Sequence, residues 1–433
     1  MRTTQVFSIS DADSLKISLL CWSQQFDEVV WLDSNAADNL HNRKYSSFDA
    51  VLAVEAFTSI KTNVDNAFED LREYQTHTAD WIFGYLTYDL KNDLENLTSS
   101  NYDGLGFPEL YFFQPKKLFF LNGNQLLMSY LNLVADEMEA DWEAIQNFRK
   151  EQQTSVYPKP ILKSRISKAD YLTKVAQMLH HIQMGDIYEA NFCQEFYTED
   201  AVIDPLEIYT KLNAISSPPF ATYLKIDELF LMSASPERFV KKQGNTIISQ
   251  PIKGTARRAA DAAEDQELAL SLQNDPKERS ENIMITDLVR NDLSRTATRN
   301  SVQVEELCGL YTFKQVHQLI TTVVSQVADE TSIMDVLKTT FPMGSMTGAP
   351  KEIAMKIIEK LEETKRGLYS GAVGYITPAG DADFNVVIRS ILYNHSKKYL
   401  SFSVGSAITI QSVPEKEYEE CMLKAKAMRE VLG

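Results

Sequence analysis

The sequence predicts an α+β fold in which large antiparallel β-sheets pack together and are flanked by helices. Aromatic and β-branched runs occur in both halves of the chain, which predicts strands. Short polar turns join several of these runs, so the joined strands should be antiparallel neighbours. Apolar positions at helical spacing lie between the runs, and helices that bury one apolar stripe cover the faces of such sheets.

Two patterns predict strands in the N-terminal third. Trp81–Tyr88 is rich in aromatic and β-branched residues, as strands are. Residues 118–121 and 126–130 are apolar and flank Asn122-Gly123-Asn124. A turn of that composition between two apolar runs predicts a β-hairpin.

Three more strands are predicted near the other end, over residues 370–377, 383–393 and 399–410. Residues 378–381 and 394–397 are the turns between them, because they contain Pro, Gly, Asn and Asp. We therefore expect three antiparallel neighbours.

Helices are predicted where apolar residues recur on one face. Asp136–Lys150 has the pattern of an acidic amphipathic helix. Ser167 begins a capping box, apolar residues follow at helical spacing, and Gly185 ends the helix.

A domain boundary is predicted in the polar, proline-bearing segment Glu151–Lys159. The chain has 433 residues, enough for one large domain or two to three ordinary ones. We predict an N-terminal domain over 1–155 and a catalytic domain over 156–433, interleaved into one compact unit.

The charge balance excludes some classes of partner. The chain carries 43 basic and 60 acidic residues, a net charge of −17. Nucleic acid is therefore not expected as a partner, since phosphate binding needs basic surface. An anionic substrate would have to be bound by a local group of cations or by a metal.

The cysteines and the apolar runs indicate where the protein works. Cys21, Cys193, Cys308 and Cys421 are far apart and lack metal-site spacing, so we expect buried, reduced thiols. The sequence has no signal-peptide pattern and no stretch of about 20 apolar residues. We expect a soluble cytoplasmic protein that makes no contact with membranes.

Two acidic pairs could carry chemistry. Glu278 and Glu281 share one helix face, and Glu417, Glu420 and Lys424 share a face of the last helix. These residues could be solvated ion pairs and a capping box. They could instead supply oxygen ligands to Mg²⁺, which takes one or two carboxylates directly and keeps several waters.

Two cations stand out for similar reasons. Lys253 follows a predicted strand, and a lysine desolvated near apolar residues or cations has a lowered pKa and can act as a nucleophile. Arg389 falls in strand register with Asn385 and Val387. Each could also be an ordinary surface residue, and Arg389 could be a carboxylate clamp.

Two other residues leave their roles open. Lys351 opens a helix, where a cation opposes the helix dipole, which hints at a function or a specific ion pair. His317 lies on an apolar element, where a satisfied core histidine is the default.

Nine motifs follow one another between Ser167 and Met428. They are Gly185-Asp186-Ile187-Tyr188, Ser235-Pro236-Glu237-Arg238-Phe239, Pro251-Ile252-Lys253-Gly254-Thr255, Glu278 to Asp292, His317, Gly344 to Lys351, Tyr369 to Tyr375, Arg389, and Glu417 to Lys424. In order and spacing, these motifs resemble those of the chorismate-utilising enzymes, whose members include anthranilate, isochorismate and salicylate synthases. The resemblance implies an enzyme of the anthranilate synthase component I-like fold that acts on chorismate.

The resemblance also implies a role for each matched residue. Glu281 and Glu420 would hold Mg²⁺ directly, with Glu278 and Glu417 acting through waters. Glu237 would be the general acid that protonates the departing C4 hydroxyl. The residues implied in substrate binding are Thr255, His317, Ser345, Tyr369, Arg389, Gly405 and Lys424.

Lys253 indicates the branch of the family. Anthranilate synthases carry a small residue at this position, whereas lysine is typical of aminodeoxychorismate synthase component I. Its implied role is covalent: the amine attacks C2 of chorismate as the C4 hydroxyl leaves, and ammonia then attacks C4 and expels the lysine. The implied pathway is para-aminobenzoate and folate biosynthesis, and the implied partner is a separate glutamine amidotransferase subunit (component II) that supplies ammonia.

Three alternatives remain at this stage. The chain could be an anthranilate synthase component I, which would also eliminate pyruvate. It could be an isochorismate or salicylate synthase, although these carry a water-activating lysine where this chain has Glu189. It could also be an inactive regulatory subunit on the same fold, against which the complete acidic quartet, Arg389 and Lys424 argue.

The sequence departs from the family pattern at two places. Glu189 stands where most amino-transferring relatives carry glutamine. Gly405-Ser406-Ala407 replaces a glycine-rich stretch, so side chains should crowd the approach to the backbone amides. In the N-terminal third, Trp31–Ser34 and Phe83–Leu86 resemble segments that line a tryptophan pocket in relatives, but we predict no strong feedback by tryptophan.

Overall fold

The structure is a computed structural model that describes residues 1–36, 38, 44–148 and 157–433. The predicted domain limit between residues 155 and 156, and most of the boundary segment Glu151–Lys159, lie outside the described residues. The described part of the chain contains the following twenty strands: β1 Arg2–Ser8, β2 Glu28–Asp33, β3 Ala50–Thr62, β4 Ile82–Leu86, β5 Leu110–Asn122, β6 Gln125–Leu131, β7 Lys163–Ser164, β8 Glu189–Thr198, β9 Phe220–Ile226, β10 Leu229–Ser235, β11 Arg238–Gln243, β12 Thr246–Gln250, β13 Ile252–Arg257, β14 Gln303–Thr312, β15 Val316–Gln326, β16 Gly348–Ala349, β17 Ala372–Ile376, β18 Ala382–Val386, β19 Ser390–Asn394 and β20 Tyr399–Thr409.

Twelve α-helices occur among the same described residues. They are α1 Ala12–Trp22, α2 Ala67–Thr78, α3 Lys91–Leu94, α4 Met138–Gln146, α5 Lys168–Met184, α6 Pro205–Ser216, α7 Ala262–Asn274, α8 Pro276–Ser294, α9 Ile333–Thr340, α10 Lys351–Leu361, α11 Pro414–Lys424 and α12 Lys426–Leu432. None of the helices in the described ranges is long and apolar enough to cross a membrane.

The strands form two antiparallel sheets that share β5. In the first sheet the order is β1-β6-β5-β3-β2-β9-β10-β19-β20-β8. In the second, β5 is followed by β4, β17, β18, β11, β12 and β15, and β15 also pairs with β13 and β14. The α+β class and the antiparallel sheets predicted from the sequence are confirmed.

The apolar core has two main parts. One part joins the sheets, because it includes Val30 and Leu224 of the first sheet with Phe83 and Phe384 of the second, and it continues under α2, α8 and α9. The other part lies where α1, α4, α5, α6, α11 and α12 cover the first sheet. Helices therefore flank both sheets, as predicted.

The two halves of the chain share sheets. Glu28–Asp33 in β2 pairs with residues 221–226 of β9, and residues 82–86 of β4 pair with β17. In both sheets, strands from before residue 149 are therefore hydrogen-bonded to strands from after residue 157.

The predicted local structures are largely confirmed. The hairpin at residues 118–130 is β5–β6, with Asn122 opposite Gln125. The hydroxyl of Ser167 accepts a hydrogen bond from the amide of Asp170 at the start of α5, and Gly185 ends that helix with φ +83°. The predicted helix Asp136–Lys150 is shorter, since α4 ends at Gln146 and a 3-10 helix over Asn132–Glu137 precedes it.

The predicted strand 383–393 is wrong as a single strand. Residues 382–386 form β18, which pairs in the second sheet, whereas residues 390–394 form β19, which pairs in the first. The chain crosses between the sheets here, and Arg389 makes the turn with φ +52°. Arg389 is therefore not in strand register with Asn385 and Val387, as the sequence suggested.

Candidate active site

All but one of the residues predicted for the site line a single cavity of about 610 Å³. The cavity lies between α8, α11 and the strands β13 and β20. The predicted residues that line it are Glu237, Lys253, Thr255, Glu278, Glu281, Ser345, Tyr369, Arg389, Gly405, Glu417, Glu420 and Lys424. Residues up to 187 positions apart in the chain thus meet at one place.

His317 is the exception. It is buried in β15, where its Nε2 lies 3.0 Å from Oδ1 of Asp265 and its Nδ1 lies 2.9 Å from the hydroxyl of Thr312. Its strand neighbours Val316 and Gln318 line the cavity instead, because side chains alternate along a strand. The structure thus does not bring His317 to the other predicted residues.

Lys253 lies at the start of β13 and forms a buried ion pair. Its Nζ lies 2.8 Å from Oε1 of Glu189, the first residue of β8. Burial opposes the charge of Lys253, but the carboxylates of Glu189 and Glu281 outweigh burial and raise the lysine pKa above its ordinary value. The lowered pKa expected from the sequence is wrong for this arrangement, because Glu189 lies beside the lysine only in the folded chain.

Gly254 lets the chain pass close to α8. Its φ is +94°, and a Cβ atom there would lie 3.2 Å from Oε2 of Glu278. A residue with a side chain would be strained in this conformation and would press on that carboxylate. The glycine therefore brings Lys253 close to the acidic face of α8.

Glu237 occupies the turn between β10 and β11 and is buried. Burial raises the pKa of its carboxyl to about 7, although the hydroxyl of Ser345 donates a 2.6 Å hydrogen bond to its Oε1. A carboxyl with such a pKa can hold a proton at neutral pH and release it to a leaving group.

The acidic quartet comes from two helices. Asp275 caps α8 by accepting hydrogen bonds from the amides of residues 277 and 278, which sets the helix start as predicted. Glu278 and Glu281 on α8 and Glu417 and Glu420 on α11 all line the cavity.

The carboxyls of α8 are poorly paired. Burial raises the pKa of Glu278, and it raises the pKa of Glu281 to about 7. Oε1 of Glu281 is buried without a hydrogen-bond partner among the described residues, and Nζ of Lys277 is 3.6 Å away. Such an acceptor favours a cation.

The carboxyls of α11 have partners. Glu420 pairs with Lys424 at 2.6 Å, and Glu417 accepts a hydrogen bond from the hydroxyl of Ser406. Within the described ranges no three acidic, histidine or cysteine side chains lie close enough together to hold one ion. Mg²⁺ needs only one or two carboxylates and completes its shell with water and substrate oxygens, so the donor set fits this metal.

The hydrogen bond to Glu417 also orients the side chain of Ser406. Gly405 and Ala407 line the cavity, whereas Ser406 is fully buried on Glu417. Of the side chains expected to crowd this approach, Ser406 therefore turns away from the cavity, whereas Ala407 lines it. A Cβ at Gly405 would lie 2.7 Å from Sγ of Cys193, so this position has room for glycine alone.

Arg389 is a cation that lines the cavity. Its guanidinium makes no hydrogen bond or ion pair with any residue that the structure describes. Burial lowers its pKa from the ordinary arginine value. Lys424 lies on the same cavity, where its Nζ also donates to the carbonyl oxygen of Gly405 at 2.9 Å. The two cations suit a substrate with two carboxylates.

Several lining residues were not singled out from the sequence, namely Asn191, Arg257, Arg258, Lys277 and Gln318. Lys277 could have been found, because it lies four residues before Glu281 on the same helix. Gln318 has a buried Oε1 without a hydrogen-bond partner among the described residues, and no sequence signal marks it.

Two ion pairs with buried carboxylates lie behind the site. Arg366 pairs with Glu362 at 2.7 Å and donates to the carbonyl oxygens of Asn191 and Met346, so it ties β8 to the segment that carries Ser345. Lys351 pairs with Asp292 at 2.6 Å. This contact explains the lysine at the start of α10: it is a specific ion pair.

A second, smaller cavity of about 70 Å³ lies beside Leu32, Asp33 and Ser34. Phe83–Leu86, the other segment that resembles part of a tryptophan pocket, does not line it. The prediction that tryptophan exerts no strong feedback stays a prediction.

Comparison with known proteins identifies the class. The family model for chorismate binding enzymes matches residues 27–430, nearly the whole chain. The chain belongs to this family of chorismate-utilising enzymes.

Two relatives and one solved structure bear on which enzyme of this family the chain resembles. Anthranilate synthase component 1 of Saccharolobus solfataricus is 34% identical over 354 residues, which cover 81% of this chain and 80% of the relative. Aminodeoxychorismate synthase component 1 of Bacillus subtilis is 30% identical over 394 residues, covering 87% and 80%. The crystal structure of anthranilate synthase component I from Streptococcus pneumoniae TIGR4 matches with a TM-score of 0.76 at 26% identity, covering 88% of this chain and 91% of that one. Overall similarity thus leaves two activities open.

Proposed function

We propose that this chain is the component I of an aminodeoxychorismate synthase, which converts chorismate and ammonia to 4-amino-4-deoxychorismate and water. The observation that carries the proposal is the side chain of Lys253, which lines the same cavity as the protonatable Glu237 and as Arg389, a cation that pairs with no described residue. A nucleophile, an acid and an anion clamp on one cavity are the groups that covalent amination needs.

The cations would orient the substrate. Arg389 and Lys424 would bind the carboxylates of chorismate, with the hydroxyl of Tyr369 beside them. Thr255, Ser345 and the backbone at Gly405 would line the ring. Mg²⁺, held directly by Glu281 and Glu420 and through waters by Glu278 and Glu417, would supply positive charge for the ring carboxylate.

The chemical steps then fall to two side chains. Glu237 would protonate the C4 hydroxyl as it leaves, while Nζ of Lys253 adds to C2 and the ring double bonds shift. Ammonia would add to C4 and expel the lysine, which restores the double bonds. We infer that a glutamine amidotransferase subunit delivers this ammonia, since two relatives carry the name component 1.

Anthranilate synthesis is the second candidate, because the relative from Saccharolobus solfataricus with that activity in its name is 34% identical. That reaction also releases pyruvate and needs no lysine nucleophile. The buried Glu189–Lys253 pair argues against it and against the isochorismate and salicylate synthases, since the position of their water-activating lysine here carries a carboxylate.

The test is to incubate the purified chain with chorismate, MgCl₂ and ammonium chloride and to identify the product by chromatography and mass. The expected product is 4-amino-4-deoxychorismate, which becomes para-aminobenzoate only after a lyase is added. Anthranilate together with pyruvate would overturn the proposal in favour of the second candidate. Failure of every chorismate reaction, with and without an amidotransferase subunit, would indicate an inactive regulatory subunit.

A further inference from the structure

Glu189 is a buried carboxylate held in place from both sides. It is 2% exposed. Its strand pairs with β20 through Thr409 and with β16 through Ala349, so the backbone on either side is fixed by hydrogen bonds. The side chain therefore has little freedom to turn away from Lys253.

The hydrogen bonding of Glu189 is incomplete. Oε1 accepts a 2.8 Å hydrogen bond from Nζ of Lys253, whereas Oε2 is buried and has no hydrogen-bond partner among the described residues. A buried acceptor without a donor destabilises the ionised carboxylate. The buried pair of Arg366 and Glu362 differs, because there both carboxylate oxygens accept hydrogen bonds. The ionised form of Glu189 thus has one oxygen, Oε2, that no described donor stabilises.

Other acids face Lys253 from different elements. Glu278 and Glu281 approach from α8, Glu420 from α11, and Glu237 from the turn before β11. Among the described residues, only Glu189 forms a hydrogen bond with Nζ of Lys253. Geometry therefore selects Glu189 as the group to which the lysine can pass a proton directly.

We propose that Glu189 is the base that activates Lys253, an inference that rests on the proposed function. The proton of the ammonium moves from Nζ to the Glu189 carboxylate, which leaves a neutral amine and a carboxylic acid. The lone pair of Nζ then forms the bond to C2. The C4–O bond breaks, and the hydroxide takes the proton of Glu237 and leaves as water.

The second half-reaction restores both acids. The nitrogen of ammonia bonds to C4, and the bond between Nζ and C2 breaks and returns its electron pair to the lysine. Glu189 gives its proton back to the free amine, so the ion pair reforms. The new C4 ammonium gives one proton to Glu237. Atoms and charge balance, with chorismate and ammonia consumed and 4-amino-4-deoxychorismate and water released.

The test compares the wild type with Glu189→Gln, which keeps the shape and one acceptor oxygen but cannot take a proton. The first readout is the rate of formation of a chorismate adduct on the Lys253 peptide, measured without ammonium by rapid quench and mass spectrometry. The second is kcat and KM with ammonium. We expect both the adduct rate and kcat to fall by about 10²–10⁴-fold, with KM for chorismate nearly unchanged.

Two further variants separate a catalytic from a structural role. Glu189→Asp keeps a carboxylate and should recover part of the lost rate, which loss of packing alone would not allow. Glu199→Gln is the matched control, because Glu199 follows the same strand and its ion pair with Lys163 is exposed. It should leave kcat unchanged.

The outcomes distinguish the two proposals. If the wild type aminates chorismate and Glu189→Gln does so at the same or a higher rate, Glu189 only positions the lysine. That result would overturn the inference about Glu189 and leave the proposed function standing. If Glu189→Gln does not fold, the rate of Glu189→Asp decides: a rate no higher than that of Lys253→Ala would contradict the inference. A wild type that makes anthranilate with no adduct would overturn both proposals.

Discussion

The hydroxyl of Ser345 donates a 2.6 Å hydrogen bond to Oε1 of Glu237, and the two residues come from turns 108 positions apart. The bond favours the ionised carboxylate, whereas burial favours the acid and raises the Glu237 pKa to about 7. The hydroxyl therefore helps to set the pH at which the proposed general acid loses its proton.

Removal of this hydroxyl should move the pH profile. As the proposed general acid, Glu237 must be protonated, so activity should fall as the pH rises through its pKa. Ser345→Ala removes a donor to the ionised form, which raises the Glu237 pKa by about 1–2 units if the bond contributes about 1.5–3 kcal/mol. The alkaline limb of the plot of kcat against pH should therefore shift to higher pH.

The control for this prediction is Ser396→Ala, in an exposed turn. It should leave the limb where it is in the wild type. An alkaline limb that stays in place or moves to lower pH in Ser345→Ala would show that another group controls it.

Loss of the proposed nucleophile should stop the proposed amination. Lys253→Ala should lower the formation of 4-amino-4-deoxychorismate by at least about 10³-fold, because no other described lysine pairs with Glu189 and covalent catalysis is lost. Lys360→Ala, an exposed change on α10, should have no effect. Product chromatography decides, and a Lys253→Ala variant that retains its amination rate would exclude the covalent route.

The charge on Arg389 should matter for substrate binding. Arg389→Gln should raise KM for chorismate by about 10–150-fold, since hydrogen bonds to charged groups contribute about 1.5–3 kcal/mol. Arg290→Gln changes an exposed arginine that pairs with Asp287 and should leave KM unaltered. Steady-state kinetics measures both, and equal KM values would place the substrate carboxylates elsewhere.

Two neighbouring acids in the middle of α11, Glu419 and Glu420, offer a matched test of the proposed metal site. Glu420 lines the cavity and Glu419 does not. Glu420→Gln should raise the Mg²⁺ concentration needed for half-maximal rate by at least about 10-fold, because one of the few direct carboxylate ligands is lost. Glu419→Gln should titrate like the wild type. Identical titrations would argue against Glu420 as a ligand.

The buried pair behind the site should dominate local stability. Glu362→Ala leaves the guanidinium of Arg366 buried and unpaired, so we expect a loss of about 3–5 kcal/mol in the free energy of unfolding. Glu352→Ala breaks the exposed pair with Lys356 and should cost no more than about 0.5 kcal/mol. Denaturant unfolding of both variants measures the difference, and similar losses would contradict this account.

Features that depend on a few adjacent residues could be predicted from the sequence. The hairpin at Asn122-Gly123-Asn124 and the start of α5 at Ser167 are local, because turn and cap residues act on backbone groups within a few positions. The site residues were found as a set because their order and spacing matched a family.

Contacts between distant segments could not be predicted in this way. Glu189 and Lys253 are 64 positions apart, and only the assembled sheets bring them within 2.8 Å. The crossing at Arg389 was missed because a residue between two apolar runs looks the same in a continuous strand and in a turn between sheets. The position of His317 depends on which face of β15 lines the cavity. The alternation of side chains along a strand does not by itself identify that face.

The pairing of N-terminal with C-terminal strands in both sheets has a practical consequence for protein engineering. Residues 157–433 produced alone would leave the edges of β9 and β17 bare where β2 and β4 now lie. Bare edges recruit strands from other molecules, so such a fragment should aggregate rather than yield a smaller enzyme. Hybrids with a related synthase should likewise tolerate exchanged cavity residues better than an exchanged N-terminal third, because that third completes the sheets on which the catalytic groups stand.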